Sequence, residues 1–586
     1  MATNPIKYTS RDYTSILADI NKDPILADKP SWWKRAVAGM GDTISMWLNA
    51  QGNNQFLETA FTRDAVRKLV EMIDYTLTPV MAASGELVFN LEDTVSFPIS
   101  FARDELVGST GGNVAVSAKS FEARSGESVS LLSETFTVNA STDELTISGD
   151  YVTGQKVRVI SSGTLPGGLS ANTSYYAAQV TSSTIKLAES VSDAFNGVVV
   201  DITSTGSGSH TIEKYSFTKA VYQQETVDQY VAYEGNGIEE WVEVDLRHSS
   251  ILYDTIIVTI SGEVWTRVDS FLDYTGTDKI YKFLNRTDGT GYLLFGNGVY
   301  GAILPNAEVG VSYATGGGSE SNISTLNSIT VYSGGSASVE GVTNAEAMNG
   351  GSDIENIETA RRLAPILLKS RDRFVTALDG IALAEKYGGL SQVSIIPNAF
   401  GVLSAKVIAI ANGGGNPSSS LKTNLQAYLV ERTLLEAMDI RVLDATITTY
   451  SVTCDVKLVE GYSWSITSKY VELAWKMFFT DAGEELRKEY NNNGTTTAIT
   501  FINSKWGYTF DENDYDSITP LLQSYLKGTF APRLFGKDVY SSDALSFVAG
   551  LVSGVDYIQV TSPSFPITLA SDEITTDGTI TLNEVT

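Results

Sequence analysis

The chain has 586 residues and a formal net charge of -28, from 69 acidic against 41 basic side chains. At 42% hydrophobic and 19% charged it is too apolar for a disordered chain, and its length allows about three to five domains. A field of this sign repels phosphate backbones, so nucleic acid is not expected as a partner. The opening MATNPIKYTSRDYT has no apolar core, so no secretory leader is expected. No apolar run reaches the roughly 18 residues a membrane helix needs, so no membrane partner is expected.

Residues 1–84 read as helical. Thr9 with Asp12 has the spacing of a capping box ahead of YTSILADI. In KRAVAGMGDTISMWLNAQ, the side chains Val37, Met40, Ile44, Trp47 and Leu48 form one apolar stripe at helical spacing. RDAVRKLVEMIDY repeats the pattern, and Pro79 closes it. These helices are expected to form a small bundle that packs on something else. The adjacent Trp32 and Trp33 can hardly share one core, so one is expected at a subunit interface.

From Gly85 the period changes to two, and strands with Ser-, Thr- and Gly-rich turns are predicted to about Val342. Within them Phe136 to His210 reads as a self-contained block of short strands inserted at a loop tip. In GQKVRVI, Val157 and Val159 share a face while Lys156 and Arg158 point away. Asp288-Gly289 predicts a hairpin between KIYKFLNR and YLLFG. After Asn349, Ser352 with Glu355 is a candidate capping box and Pro365 a kink or break. Helices and strands then alternate, and Thr519-Pro520 fits the start of a helix at LLQSYL. The fold class is multi-domain α+β. A helical N-terminal region (1–84) precedes a β-rich middle (85–135 and 214–345) with an inserted small β domain (136–213). The α+β C-terminal domains are 346–460 and 461–586.

No catalytic constellation stands out. One cysteine and two histidines exclude an internal disulfide, a cysteine metal cluster and an HExxH centre; Cys454, in SVTCDVKL, reads as a small buried hydrophobe. TGGGSESN, from Thr315, lacks the GK[ST] and following helix of a phosphate loop. LLFGNGVYGAILP has the nominal spacing of a dinucleotide fingerprint at Gly296, Gly298 and Gly301. Yet Pro305 and an alternating strand follow it where that fingerprint requires a helix. DENDYD, from Asp511, lacks the glycine and distal glutamate of a calcium loop. GxSxG is absent, and nothing selects a carboxylate pair. No metal or cofactor is expected, and any two of the 69 carboxylates could still meet in space as a glycosidase pair. The basic run Arg361, Arg362, Lys369, Arg371, Arg373 is unusual in so acidic a chain. It either pairs with Glu355 and Glu358 or faces an acidic neighbour.

Taken together, three segments resemble phage baseplate J-like proteins, the family of large baseplate wedge subunits in contractile-tailed phages. The first is Leu293 to Ile323. It has Phe295, the turn Gly296-Asn297-Gly298, Gly301, Pro305, an alternating strand, Gly316 to Gly318 and Asn322. The second has Arg362-Leu363-Ala364-Pro365 and Phe374-Val375-Thr376, and the third is the helix-then-strand pair from Leu421. LPGGLSANTSYY looks like a β module inserted in tail proteins. The resemblance covers roughly Val221 to Leu458 and makes 346–460 a baseplate J-like domain and 461–586 a wedge-contact domain. It implies a virion protein of the tail baseplate, made in the host cytoplasm and without enzyme activity. It would join central hub, neighbouring wedges and peripheral fibres and pass on the change that triggers sheath contraction. Implied partners are other wedge subunits, further copies of itself, and hub, tube and fibre-attachment proteins. Gly296, Asn297, Gly298, Gly301 and Pro305 become a structural turn, and Trp32, Trp33, Arg361, Arg362, Arg371 and Arg373 candidate interface residues. The alternative is a receptor-binding or tail-fibre adhesin, with Tyr175 and Tyr176 lining a ligand groove.

Overall fold

The computed structural model describes residues 7, 9, 11–73, 75–111, 118–286, 290–433, 438–479, 486, 495–510, 518–519, 522–523 and 536–585. The expected Asp288-Gly289 hairpin, the acidic run 511–516 and the Pro520 helix start lie outside them. The chain forms two compact units, Met1–Ser391 with Ala411–Ile440 and Gln392–Ile410 with Arg441–Thr586. It has a helical N-terminal region, a β-rich middle and an α+β C-terminal part.

The first unit opens with helices α1 (Tyr13–Lys22), α2 (Ser31–Asn53) and α3 (Arg63–Glu71). The capping box of α1 is Asp12 with Ser15, not Thr9 with Asp12. Ser15 N donates to Asp12 Oδ1 at 2.8 Å, and Asp12 N donates to Ser15 Oγ at 2.9 Å. TSRDYTS offers the same spacing twice, and the second start is the one used; Ile16 and Ile20 pack on α2. There they meet small residues: Ala38 is fully buried, and Ile16 Cδ1 lies 2.9 Å from where a Cβ on Gly41 would stand. Gly41 therefore permits the close approach of the two helices.

Twelve strands between Ser84 and Asn344 form one connected sheet. Its spine is the long strand Ser216–Glu234, antiparallel to Ser84–Leu91 along its first half and to Glu308–Gly316 along its second. Two separate cores result, one around Leu87, Phe89 and Phe121, the other around Trp265, Tyr281 and Phe295. Ser84–Leu91 is buried at seven of eight positions rather than alternately, because both faces are covered: Leu87, Phe89 and Leu91 join one core, and on the other face Asn90 donates to the Gly154 carbonyl at 3.0 Å.

Residues 132–214 fold into a closed six-stranded barrel. Its first strand, Leu132–Asn139, pairs with its last, His210–Lys214, so the chain enters and leaves side by side. Val157 and Val159 point into the barrel as expected. Lys156 sits on the other face but is not solvated; its side chain is 3% exposed. Its ammonium donates to the Leu91 carbonyl at 3.0 Å and pairs with Asp93 at 2.8 Å and with Glu340. That face is covered by the large sheet, which no local pattern reveals.

Three helices complete the unit: α5 (Ile357–Ser370), α6 (Ala377–Tyr387) and α7 (Ser419–Glu431), after a short α4 (Val191–Asn196) in the barrel segment. The cap of α5 is Asn356, not Ser352. Glu355 turns inward instead, accepting from Tyr75 Oη at 2.6 Å and Thr78 N at 2.9 Å. Pro365 neither breaks nor ends α5, whose Ala360, Leu363, Ala364 and Leu367 are buried on both sides of it.

In the second unit, Thr446–Leu458 lies between Val555–Ser562, antiparallel, and Glu573–Val585, parallel. Helix α8 (Trp464–Phe479) supplies the aromatic core, Trp475, Phe478 and Phe479, beside Cys454. Burial pushes the Cys454 thiol up to about 11, as suits an inert core residue.

Candidate functional site

The apolar stripe of α2 is present as a stripe, but the chain does not bury it. Met40 is 59% exposed, Ile44 58% and Trp47 58%, with Leu48 and Met46 also out. Helix α1 covers Ala38 and half-buries Val37, the first member of the stripe, and leaves the other four exposed. Trp32 is exposed and Trp33 half-buried, so the two diverge as adjacent helical residues must.

The basic run of α5 divides. Arg361 Nε donates to the Leu57 carbonyl at 2.6 Å, Nη2 donates to the Ala60 carbonyl, and Nη1 pairs with Glu358 at 2.5 Å. This guanidinium ties α5 to the loop between α2 and α3. Arg362 pairs with Glu385 of α6 at 2.7 Å. Arg371, the left-handed C-cap at φ 54°, and Arg373 are both exposed.

The glycine-rich turn is built as a rigid corner. Gly298 and Gly301 have φ of 81° and 76°. Gly298 N donates to the Gly301 carbonyl at 2.9 Å, while Asn297 Oδ1 accepts from Val299 N and Tyr300 N at 3.1 and 2.9 Å. A Cβ on Gly296 would overlap the Gly301 backbone. Downstream, Gly316, Gly317 and Gly318 also have positive φ. Asn322 Oδ1 accepts from Gly351 N at 2.8 Å, and Ser319 Oγ donates to Asp353 at 3.1 Å. The TGGGSESN loop thus stitches the sheet to the segment before α5. The amide donors a phosphate would need are turned to internal partners.

A cavity of about 390 Å³ is lined by Arg63 and Arg67 of α3, Tyr253 and Arg267 of the sheet, and Lys386, Tyr428 and Arg432, among others. Its cations are largely engaged: Arg67 with Asp64 and Glu71, Arg267 with Asp269, Arg432 with Asp372. Burial raises the phenols of Tyr253, Tyr387 and Tyr428 and keeps them neutral. Burial likewise raises the nearby Glu355 carboxyl, against the hydrogen bonds from Tyr75 and Thr78. Among the described residues the lining holds no cysteine, serine or histidine. Both histidines bind elsewhere, His210 to Ser161 and the Thr205 carbonyl, His248 to Tyr313. No group of three or more His, Cys, Asp or Glu could hold a metal ion among the described residues.

Tyr175 is 4% exposed inside the barrel and Tyr176 half-buried, so the two do not form an open aromatic groove. Sequence reasoning placed Lys156 on the outer face and Glu355 in a helix cap; their actual roles come from partners far away in sequence, for which neither has a local signal.

No family model matches the chain, and no curated protein matches it. Among solved structures it is similar to a chain of the anti-feeding prophage (AFP) baseplate, 6-fold symmetrised. The identity is 12% over 96% of this chain and 89% of that one, with a TM-score of 0.26. It is also similar to a chain of the type VI secretion system TssK-TssF-TssG baseplate subcomplex. There the identity is 10% over 71% of this chain and 96% of that one, with a TM-score of 0.29. Likeness at this level is too coarse to fix a role.

Proposed function

We propose that the chain is a structural subunit of a baseplate wedge in a contractile phage tail, located in the virion's tail baseplate. The observation that carries an assembly role is α2, whose apolar stripe stays in water. Burying one side chain of that size is worth about 1.5–3 kcal/mol. A stripe of four offers an assembly contact a large part of its driving force. The resemblance of Leu293 to Ile323 to baseplate J-like proteins supplies the kind of assembly. In this reading the chain joins hub, neighbouring wedges and fibres and passes on the change that triggers contraction. The six sequence divisions are its working parts, and Trp32, Arg371 and Arg373 face other subunits.

Two measurements test this. Cryo-electron microscopy of the intact particle is expected to find the chain in a ring around the hub; density at a fibre tip, or none in the particle, overturns the reading. Ile44→Asp with Trp47→Ser is expected to leave the chain's thermal melting within about 0.5 kcal/mol of wild type, as for exposed sites. The same variant is expected to be excluded from the assembled particle. Normal incorporation would remove α2 from the argument.

A further inference from the structure

A second surface, on elements other than α2, has the features of a built docking site. Three loops meet at one end of the sheet: 235–242, 269–278 and 296–303. Phe295 N donates to the Val242 carbonyl at 3.1 Å, Gly301 N to the Thr275 carbonyl at 3.1 Å, and Ala302 N to the Asp278 carbonyl at 2.8 Å. Trp241 packs edge-on to Phe271 with ring centroids 5.4 Å apart. Thr275 N donates to Asp278 Oδ2 at 2.7 Å. A Cβ on Gly276 would overlap the Gly298 carbonyl oxygen, so the second and third loops touch backbone to backbone.

This rigid platform presents large apolar side chains to solvent. Ile238 is 80% exposed, Leu272 73% and Val299 63%, with Trp241, Tyr274 and Tyr300 also exposed. Core packing does not explain them, since the core below is made by Val268, Phe271 and Ile280. Loop backbones already tied to one another lose little entropy on binding, which favours a specific contact. The rim has one sign: the three loops carry Glu239, Glu240, Asp273 and Asp278 and no lysine or arginine, and the flanking Arg267 and Lys279 are paired with Asp269 and Glu263.

We propose that this surface docks a basic amphipathic segment of another protein, its apolar side chains on Ile238, Leu272, Val299 and Tyr300 and its lysines or arginines on the acidic rim. Charge selects among occupants. A second copy would bring its own acidic rim and a net charge of -28, and nucleic acid would bring phosphates. A basic segment meets both halves of the surface.

The test uses the full chain and three labelled helical peptides of equal length: lysine with leucine, glutamate with leucine, and lysine with serine. Fluorescence anisotropy is expected to show the lysine–leucine peptide binding most tightly, and more weakly as salt rises. Val299→Ser with Tyr300→Ser is expected to weaken that binding at least about tenfold, in the range of interface hot spots. Leu272→Ser, on a different loop, provides a second variant should the first disturb the turn. Gln179→Ala, exposed on the barrel and outside both surfaces, is expected to leave binding unchanged. Equal binding of the glutamate–leucine peptide, or of the lysine–serine peptide, overturns the proposal, as does binding unaffected by both loop variants. Wild-type self-association abolished by the loop variants would assign the surface to a second copy and overturn it as well. Failure here leaves α2 and the wedge reading untouched, because incorporation of the Ile44→Asp with Trp47→Ser variant into the particle reads out separately.

Discussion

Lys156 is the residue whose surroundings say most about how the barrel is held. Its ammonium is almost fully buried, and its partners Asp93 and Glu340 are roughly half exposed. Lys156→Met removes the charge and leaves both carboxylates able to reach water. The expected cost is therefore about 1–3 kcal/mol, below the usual range for breaking a buried pair. Asp93 is held below the ordinary carboxylate range by hydrogen bonds from Lys156 and Ser174, which outweigh its burial. Lys156 is held above the ordinary amine range by the same carboxylates, against its own burial. The Asp93 contribution is present above the unfolded carboxylate pKa and is lost as pH falls through the depressed folded value. The Lys156 contribution is complete below the unfolded amine pKa and is lost as pH rises through the elevated folded value. Stability of wild type relative to Lys156→Met should thus form a plateau through neutral pH and fall at both ends. Urea unfolding at a series of pH values measures it, and a difference independent of pH would show the pair contributes nothing.

Among the elements, α5 offers the clearest contrast. Arg361 reaches two backbone carbonyls of the α2–α3 loop, so Arg361→Met orphans both acceptors. It should lower stability by about 2–3 kcal/mol, the cost of losing charge-assisted hydrogen bonds. Arg371→Glu with Arg373→Glu should cost at most about 1 kcal/mol, from acidic charge at a helix C-terminus. It should impair particle assembly far more; equal melting with normal assembly would show that assembly does not use these two residues. The pattern of residues made the existence of α2, α5 and the barrel strands legible, because each carries its own period and punctuation. The ends of α1 and α5 were less so. Two capping spacings compete at Thr9 and Asp12, and Glu355 is taken by Tyr75 from 280 positions away. The stripe of α2 was legible as apolar but not as unburied, since periodicity does not say whose surface covers it. The same holds for Val299 and Tyr300, which read as ordinary turn residues until three loops are seen together.

For the whole molecule, the charge of -28 sets how association depends on salt. Screening shortens from about 30 Å at 0.01 M to about 8 Å at 0.15 M. Contacts between copies of this chain should strengthen over that range, while docking of a basic segment on the acidic rim should weaken. Sedimentation and anisotropy along one salt series would separate the two, and parallel trends would contradict the charge argument. The two compact units also mean that unfolding need not be a single transition. Loss of Lys156 belongs to the first unit, and exposure of the Cys454 thiol to a labelling reagent reports on the second. The barrel, finally, begins and ends on paired strands, with Leu132 opposite Lys214, so about 5 Å separates entry from exit. A tight turn could replace everything between them and leave Ser216–Glu234 in register with Ser84–Leu91. In hereditary terms the barrel is a cassette: a lineage can gain, lose or exchange it in one recombination event, and the host sheet inherits the unpaired carboxylates of Asp93 and Glu340 together with the Leu91 carbonyl and the Asn90 amide.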